Sequence, residues 1–370
     1  MINIGITGSD GLIGYHLRVF LRNTEGVDVR CANRHTFSSP ESMNKFTKGL
    51  DYIVHLADKN VGADSDLRKI NMTISESLLN SCEMSNTRPH ILFASSTHTL
   101  LNPDAAYSIS KEECSDFISD WCRHNGSDFT KIIIPHVFGE FGKPFYNSVV
   151  SSFCYQLANG ESTKVIQDKE LELLHAYDVA RGISEIIDSN ITGDKKLDGK
   201  KISVIDVRDK LIHLSKLYLD NIIPHTLSKL DCQLFNTFRS YLPENYYPRD
   251  YIQHVDERGM LFESIKAEHT GLTFCSTTKP GVTRGNHFHI DKFERFIVLK
   301  GEAIISFRKL FSEEVKSFEV SGASPTYVDI PTYTTHNIKN TGKSDLLTLF
   351  WSNVFFDPNH PQIDTGQYCI

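Results

Sequence analysis

The chain has 370 residues, 40% of them hydrophobic, enough to bury a full core and to form two domains, or one large domain with a smaller one. Lysine and arginine number 39 against 46 aspartate and glutamate, a formal charge of −7 with no basic run, which argues against nucleic acid as a partner. No stretch nears the roughly 20 apolar residues that span a bilayer, and the sequence enters a strand pattern at once, so a cytoplasmic protein with no membrane partner is expected.

Apolar strands and helical patterns alternate through the first part of the chain. Strands are expected at residues 2–7, 27–32, 52–56 and 91–95, with helices from about residue 12, over 70–84 and from about residue 107. Residues 132–135 read as a further buried strand and 147–157 as a helix. Strands separated by crossover helices argue for a parallel sheet wrapped on both faces, an α/β Rossmann architecture. From 183 to about 242 the pattern is helical and loop-like, as in a small substrate-covering subdomain.

Near Pro243 the texture changes to short apolar runs at 272–277, 296–299, 303–307, 327–330 and 346–351. Evenly spaced short strands without helices indicate an all-β jelly roll or small barrel. The domains are therefore expected at 1–244 and 245–370. The eight cysteines are scattered without a CxxC pair, which suits ordinary thiols in a reducing compartment.

Two groups of residues carry chemistry. Gly8, Gly11 and Gly14 follow a strand and open a helix, where glycine permits a tight turn and the helix N-terminus offers unpaired N–H groups to a pyrophosphate. Their spacing is GxxGxxG rather than GxGxxG. The second strand ends Cys31-Ala32-Asn33-Arg34, with no carboxylate for a ribose hydroxyl, and Arg34 suits a 2′-phosphate, which favours NADPH over NADH. Tyr107 and Lys111 stand at i, i+4 on one helix face, where the ammonium lowers the phenol pKa for proton transfer, and Ser96 at a strand end can bind the same substrate oxygen. Near the other end, His287 and His289 alternate along a strand while Glu294 and His336 approach from neighbouring strands. Three imidazoles and a carboxylate suit a divalent transition metal.

Over about residues 1–240 the chain resembles the extended short-chain dehydrogenase/reductase family, on Thr7-Gly8-x-x-Gly11-x-x-Gly14, His55-Leu56-Ala57, Phe93-Ala94-Ser95-Ser96, Tyr107-x-x-x-Lys111 and His175-Ala176-Tyr177-Asp178. The resemblance implies Ser96, Tyr107 and Lys111 as the catalytic set, Gly8, Gly11, Gly14, Leu56 and Ala57 around the cofactor, and a nucleotide sugar as substrate. Two departures stand out. Asp58 replaces the small residue usual after His-Leu-Ala, and Thr97-His98 replaces the Asp-Glu pair of the family's 4,6-dehydratases, which disfavours that reaction.

The run Gly281 to Gly301 resembles the first cupin motif at every spacing, and Pro331, His336 and Asn340 the second, with Tyr333 in place of its glycine. Asp256-Glu257-Arg258-Gly259, Glu263 and Arg284-Gly285-Asn286-His287 resemble the deoxyhexulose 3,5-epimerases. That likeness implies Arg258 and Glu263 as substrate contacts and His287 as a base, a role that competes with metal ligation. His289 and His336 complete a chelate, which favours the ligand role.

A reductase joined to a metal cupin resembles a family of bifunctional capsular-polysaccharide enzymes nearly end to end, on residues 143–149, 240–243, 279–281 and 356–359. This resemblance implies C3 epimerisation of a UDP-4-keto-6-deoxy-HexNAc in the cupin, then NADPH reduction of the C4 ketone to UDP-2-acetamido-2,6-dideoxy-L-talose or a related sugar. It also implies Asn147 as a substrate contact, a divalent metal with zinc as first choice, and a homodimer. The alternatives are a cupin-type metal oxygenase on a Rossmann scaffold, or a non-catalytic protein that senses a nucleotide or sugar.

Overall fold

The computed structural model describes residues 1–354 apart from Asn23, Leu227, Arg258, His269 and Thr270. By contacts the chain divides into two compact units, residues 1–152 with 165–207, and residues 153–164 with everything from 208 onward. No helix among the described residues is long and apolar enough to cross a membrane.

In the first unit six parallel strands lie in the order Val27–Ala32, Ile2–Thr7, Tyr52–His55, His90–Ser96, Phe129–Ile134 and Gly193–Lys196. The strand His90–Ser96 is buried at every position but the last, because helices cover both faces of the sheet. Its Leu92 and Ala94 pack with Leu17, Val179 and Ile183 on one side, while Ile91 and Phe93 pack with Leu79, Cys114 and Ile118 on the other. The helix expected over 70–84 runs over Asp64–Met84, its added first turn carrying Asp64 and Asp66, which favour a helix N-terminus. From Ile2–Thr7 the sheet is extended first to one side and then to the other. In open sheets of this kind ligands bind outside the carboxyl ends of the strands where that order reverses, and the Gly8 turn and residues 56–58 follow those ends.

The second unit holds two antiparallel sheets. One orders Arg249–Asp250, Thr326–Ile330, Glu294–Lys300, Leu346–Ser352 and Leu272–Thr278; the other orders Thr283–His287, Thr334–Asn340, Glu302–Lys309 and Val315–Ser321. Phe296, Val298 and Phe350 of the first sheet meet Ile305, Phe307 and Ile338 of the second in one core. The expected all-β, cupin-like architecture is present.

The change of texture at 244/245 marks where the strands begin, whereas by contact residues 208–244 group with those strands. A buried charge supplies a physical reason. Arg295, fully buried, donates to both oxygens of Asp329 at 2.7 and 2.9 Å and to Asn221 Oδ1 at 2.9 Å, with its guanidinium 3.8 Å from the Tyr327 ring centroid. Tyr218, on the helix Val204–Leu219, donates its hydroxyl to Asp329 Oδ2 at 2.5 Å, and Arg239, on Lys229–Arg239, donates to the Ile330 carbonyl at 2.7 Å. The helical segment thus completes the hydrogen bonding of charges that the strands bury.

Asp329→Ala leaves that guanidinium buried and uncompensated, and is expected to cost about 3–5 kcal/mol. The measurement is the urea midpoint of the C-terminal unit, and a loss below about 1 kcal/mol, the range of an exposed pair, would remove Asp329 from this role.

Candidate active site and metal centre

Gly8 takes φ +67°, and an added Cβ would stand 2.9 Å from the backbone of Leu56 and Ala57. At Gly14 it would stand 2.4 Å from the Gly8 carbonyl. Both glycines are required by the packing of the turn itself. Gly11 is more open, with only the Gly8 carbonyl nearby at 3.3 Å. The helix Leu12–Arg22 has no acidic residue in its first turn, so its N–H groups and dipole face outward uncompensated, and Asp10 is held by Arg18 at 3.2 Å. The Leu56 and Ala57 amides donate to Thr7 Oγ1 at 3.1 and 3.2 Å, which leaves the Thr7 proton for His55 Nδ1 at 2.8 Å. His55 is therefore a neutral acceptor. Burial, reinforced by Lys111 and opposed by Asp58, lowers its pKa to about 3.

Tyr107 and Lys111 share the helix Ala106–Asn125. The Lys111 side chain is 6% exposed; its Nζ donates to the Ala94 carbonyl at 2.7 Å and pairs with Asp58 Oδ2 at 2.8 Å. It stands 6.0 Å from the Tyr107 ring centroid. Burial pushes the Lys111 pKa down, but Asp58 first and Tyr107 next push it up further, and the ammonium is held above its ordinary value. For Tyr107, burial raises the phenol pKa, Lys111 lowers it, and Asp58 and Tyr146 raise it. The lysine acts in the direction its spacing implies, yet the net shift is upward because the phenol is desolvated and Asp58 answers the ammonium charge. Ser96 caps the helix Thr97–Leu101 by accepting from the His98 amide at 3.1 Å, and among the described residues no hydrogen bond joins it to Tyr107. The His98 ring centroid lies 5.9 Å from that of Tyr107.

Arg34 is exposed and opens the one-turn helix Arg34–Phe37, capped by Asn33. It works to lower the Tyr146 phenol against burial and Asp58, which together raise it. Asn147 is exposed in the loop ahead of the helix Val149–Ala158.

In the second unit His287, His289, Glu294 and His336 each offer a ligand atom, all within 4.8 Å of one another. Ligand atoms around a tetrahedral ion stand about 3.4 Å apart, so the set is slightly open. His287 ends the strand Thr283–His287 and pairs across to His336, with a register shift at Gly285 and Asn286, where φ is +102° and +64°. That bulge aims His287 at its neighbours: its ring centroid lies 4.5 Å from His336 and 4.9 Å from His289. Glu294 Oε2 lies 2.9 Å from His289 Nε2 and 3.7 Å from His336 Nε2, and Lys292 pairs with Oε1. His336 Nδ1 faces the Thr334 carbonyl at 3.2 Å and must donate to it, which turns the Nε2 lone pair inward. That Nε2, 3.7 Å from Glu294 Oε2, is buried without a hydrogen-bond partner, which suits a cation ligand. Burial, then His336 and His289, lower the His287 pKa to about 3; burial also lowers His289, so both are neutral, the ligating form. Burial would raise Glu294, but His289, His336 and Lys292 hold it well below the usual carboxylate range. Three imidazoles and one carboxylate fit a divalent ion.

Tyr333, which stands at the cupin motif's glycine, takes φ +56° fully buried, its amide donating to the His289 carbonyl at 2.7 Å. Glu263 is exposed and pairs with Lys266, and Arg284 is tied back to Thr278 Oγ1 and the Thr277 carbonyl, both at 2.9 Å. Arg258 lies outside the described residues. Sequence reasoning noted Asp58 only as a departure and passed over Asn71 and Lys292. The signal for the first was a carboxylate placed at the same strand ends as a buried lysine.

A model of the NAD dependent epimerase/dehydratase family matches residues 4–198, and one of the polysaccharide biosynthesis C-terminal domain matches residues 254–365. A UDP-2-acetamido-2,6-beta-L-arabino-hexul-4-ose reductase of Pseudomonas aeruginosa is 27% identical over 361 residues, 96% of each chain. The crystal structure of the capsular polysaccharide assembling protein CapF from Staphylococcus aureus is 31% identical with a TM-score of 0.62, covering 98% of this chain and 99% of that one. The UDP-N-acetylglucosamine 4-epimerase of Methanobrevibacter ruminantium, 18% identical with a TM-score of 0.54 over 65% of this chain and 98% of its own, shares the fold alone. The chain belongs to the NAD dependent epimerase/dehydratase family, as a CapF-like member in which that domain is followed by a polysaccharide biosynthesis C-terminal domain.

Proposed function

We propose that this chain is a bifunctional nucleotide-sugar enzyme of capsule or O-antigen synthesis. It inverts C3 of a UDP-4-keto-6-deoxy-HexNAc in the β domain and reduces the C4 ketone with NADPH in the α/β domain, giving UDP-2-acetamido-2,6-dideoxy-L-talose or a related sugar. The observation that carries this reading is end-to-end likeness to a reductase of a UDP-linked hexul-4-ose, in a chain that keeps both a Tyr107–Lys111 pair and a cluster of three histidines and a glutamate.

The order follows from the chemistry. The C3 proton is acidic only while C4 is a ketone, because the carbanion then delocalises onto oxygen. Reduction therefore comes last. In the α/β domain Tyr107 gives its proton to the carbonyl oxygen, Lys111 stabilises the phenolate left behind, and Ser96 holds the same oxygen. Reduced nicotinamide supplies the hydride. Gly8, Gly11 and Gly14 with the following helix N-terminus face the pyrophosphate, Leu56 and Ala57 line the adjoining strand end, and Arg34 takes the 2′-phosphate.

In the β domain His287, His289, Glu294 and His336 hold the metal, for which zinc suits the donor set. Such an ion would polarise a carbonyl or brace the barrel. Asn147, Arg258 and Glu263 are the proposed substrate contacts. A homodimer belongs to the same reading.

Tyr107→Phe is expected to lower NADPH oxidation with the keto sugar by about 10²–10⁴-fold while C3 deuterium exchange continues; retained reduction would remove Tyr107 from its role. His289→Ala should bring metal content to background and lower the thermal midpoint, and full metal content in that variant would contradict the ligand assignment. Arg34→Ala should weaken NADPH binding about tenfold or more, as expected for a lost charge-assisted contact, with NADH binding little changed. An unaltered preference would discard the 2′-phosphate contact.

A further inference from the structure

The segment after the strand Tyr52–His55 is fastened down. Lys59 donates its amide to Asn71 Oδ1 at 2.7 Å and accepts from Asn71 Nδ2 at 2.9 Å; the same Nδ2 reaches Ser110 Oγ at 3.1 Å, beside Lys111. Asn60 accepts from the Tyr146 hydroxyl. Between these ties and the Leu56 and Ala57 amides held by Thr7, Asp58, its side chain 20% exposed, meets Lys111 at 2.8 Å. Asn71 thus links the loop carrying Asp58 to the helix carrying Lys111. The backbone beside Asp58 is held by these contacts, and its carboxylate by the pair with Lys111.

Lys111 has three donors: one goes to the Ala94 carbonyl, one to Asp58, and one is left. The ionisable groups that face Tyr107 are Lys111 on its own helix, Asp58 on the loop after Tyr52–His55, His98 on Thr97–Leu101 and Tyr146 on the loop before Val149–Ala158. A lysine without a counter-ion would favour the phenolate, the form that accepts a proton when an alcohol is oxidised. A carboxylate on that lysine offsets part of the effect, in the same sense as burial, which raises the phenol most.

We propose that Asp58 is the standing counter-ion of Lys111 and a positioning residue for Tyr107, offsetting part of the pull of the ammonium on the phenol and so holding the phenol closer to its proton-giving form. The use of that proton in ketone reduction rests on the proposed reductase reading; the electrostatic coupling does not.

Ultraviolet difference titration of tyrosinate on the whole protein, without cofactor or substrate, tests the coupling. The chain has 14 tyrosines, so the trace of Tyr107→Phe is subtracted to isolate one. In Asp58→Asn the Tyr107 midpoint is expected to fall by about one unit, and Asp58→Glu should restore it toward the parent value. Should Asp58→Asn fail to fold because it buries an unpaired ammonium, Lys111→Met is compared with Asp58→Asn/Lys111→Met, and the double variant should titrate lower. A midpoint that does not move in the comparison, or moves upward, overturns the proposal. If the midpoint falls while the parent protein reduces no keto sugar, the reductase reading fails and the Asp58 assignment stands.

Discussion

Taking an ammonium out of water is the constraint around which the N-terminal site is arranged. A buried lysine without a partner would lose its proton, and Lys111 keeps it because Asp58 and the Ala94 carbonyl replace the solvent. Asp58 in turn needs a fixed backbone, which Asn71 supplies through Lys59. The same charge bears on two neighbours in opposite senses. It reinforces the burial that keeps His55 neutral, so that this ring serves as an acceptor in the turn beneath the glycines, and it pulls on Tyr107, whose phenol it would ionise more readily were it not partly answered.

The C-terminal unit contains two buried polar groups that differ in one respect. Around Arg295 the donors and acceptors match: both Asp329 oxygens, Asn221 and the Tyr218 hydroxyl close the network. Such a group is self-sufficient, and it fixes the helical segment against the strands. Around His287, His289, Glu294 and His336 the matching fails, since His336 Nε2 and His289 Nδ1 are buried without a hydrogen-bond partner. Burying unmatched acceptors is costly unless a cation completes them.

What the sequence revealed follows from which side chains report their surroundings. The strands at the centre of the α/β sheet and the glycine turn were legible because continuous apolar runs and close backbone approach leave marks in composition. Gly193–Lys196, wholly exposed, carries no apolar mark, although it pairs in parallel with Phe129–Ile134. Thr334–Asn340 lacks that mark for the opposite reason, and only His336 pointed to a strand there: six of its seven residues are buried, yet most are polar, because His336 joins the histidine–glutamate cluster while Asn337 and Asn340 bond to Asn286 and the Thr278 carbonyl. The four candidate ligands could be named from spacing alone, whereas the bulge that aims His287 could not, since it depends on positive φ at Asn286 as well as at a glycine. The helical residues 208–242 looked like part of the first domain because their attachment to the second runs through Tyr218 and Arg239, single side chains with no periodic signature.

Asp58 shows how a departure from a family pattern becomes informative once geometry is known. Seen in sequence, a carboxylate beside a dinucleotide crevice looks like an obstacle to phosphate. Its placement answers that objection, because the charge is directed at Lys111 rather than presented to the crevice. In the proposed reaction order the ketone that makes C3 labile must disappear once inversion is done, and a site that readily reoxidised the alcohol would regenerate the labile intermediate. A catalyst speeds both directions of one equilibrium, so the supply of reduced cofactor closes that route, and Asp58 bears only on how much phenol stands ready to give its proton. The cost falls on acidity, since a phenol held in its neutral form is also a weaker proton donor, and the remaining donor of Lys111 is what stabilises the phenolate at the moment the proton leaves.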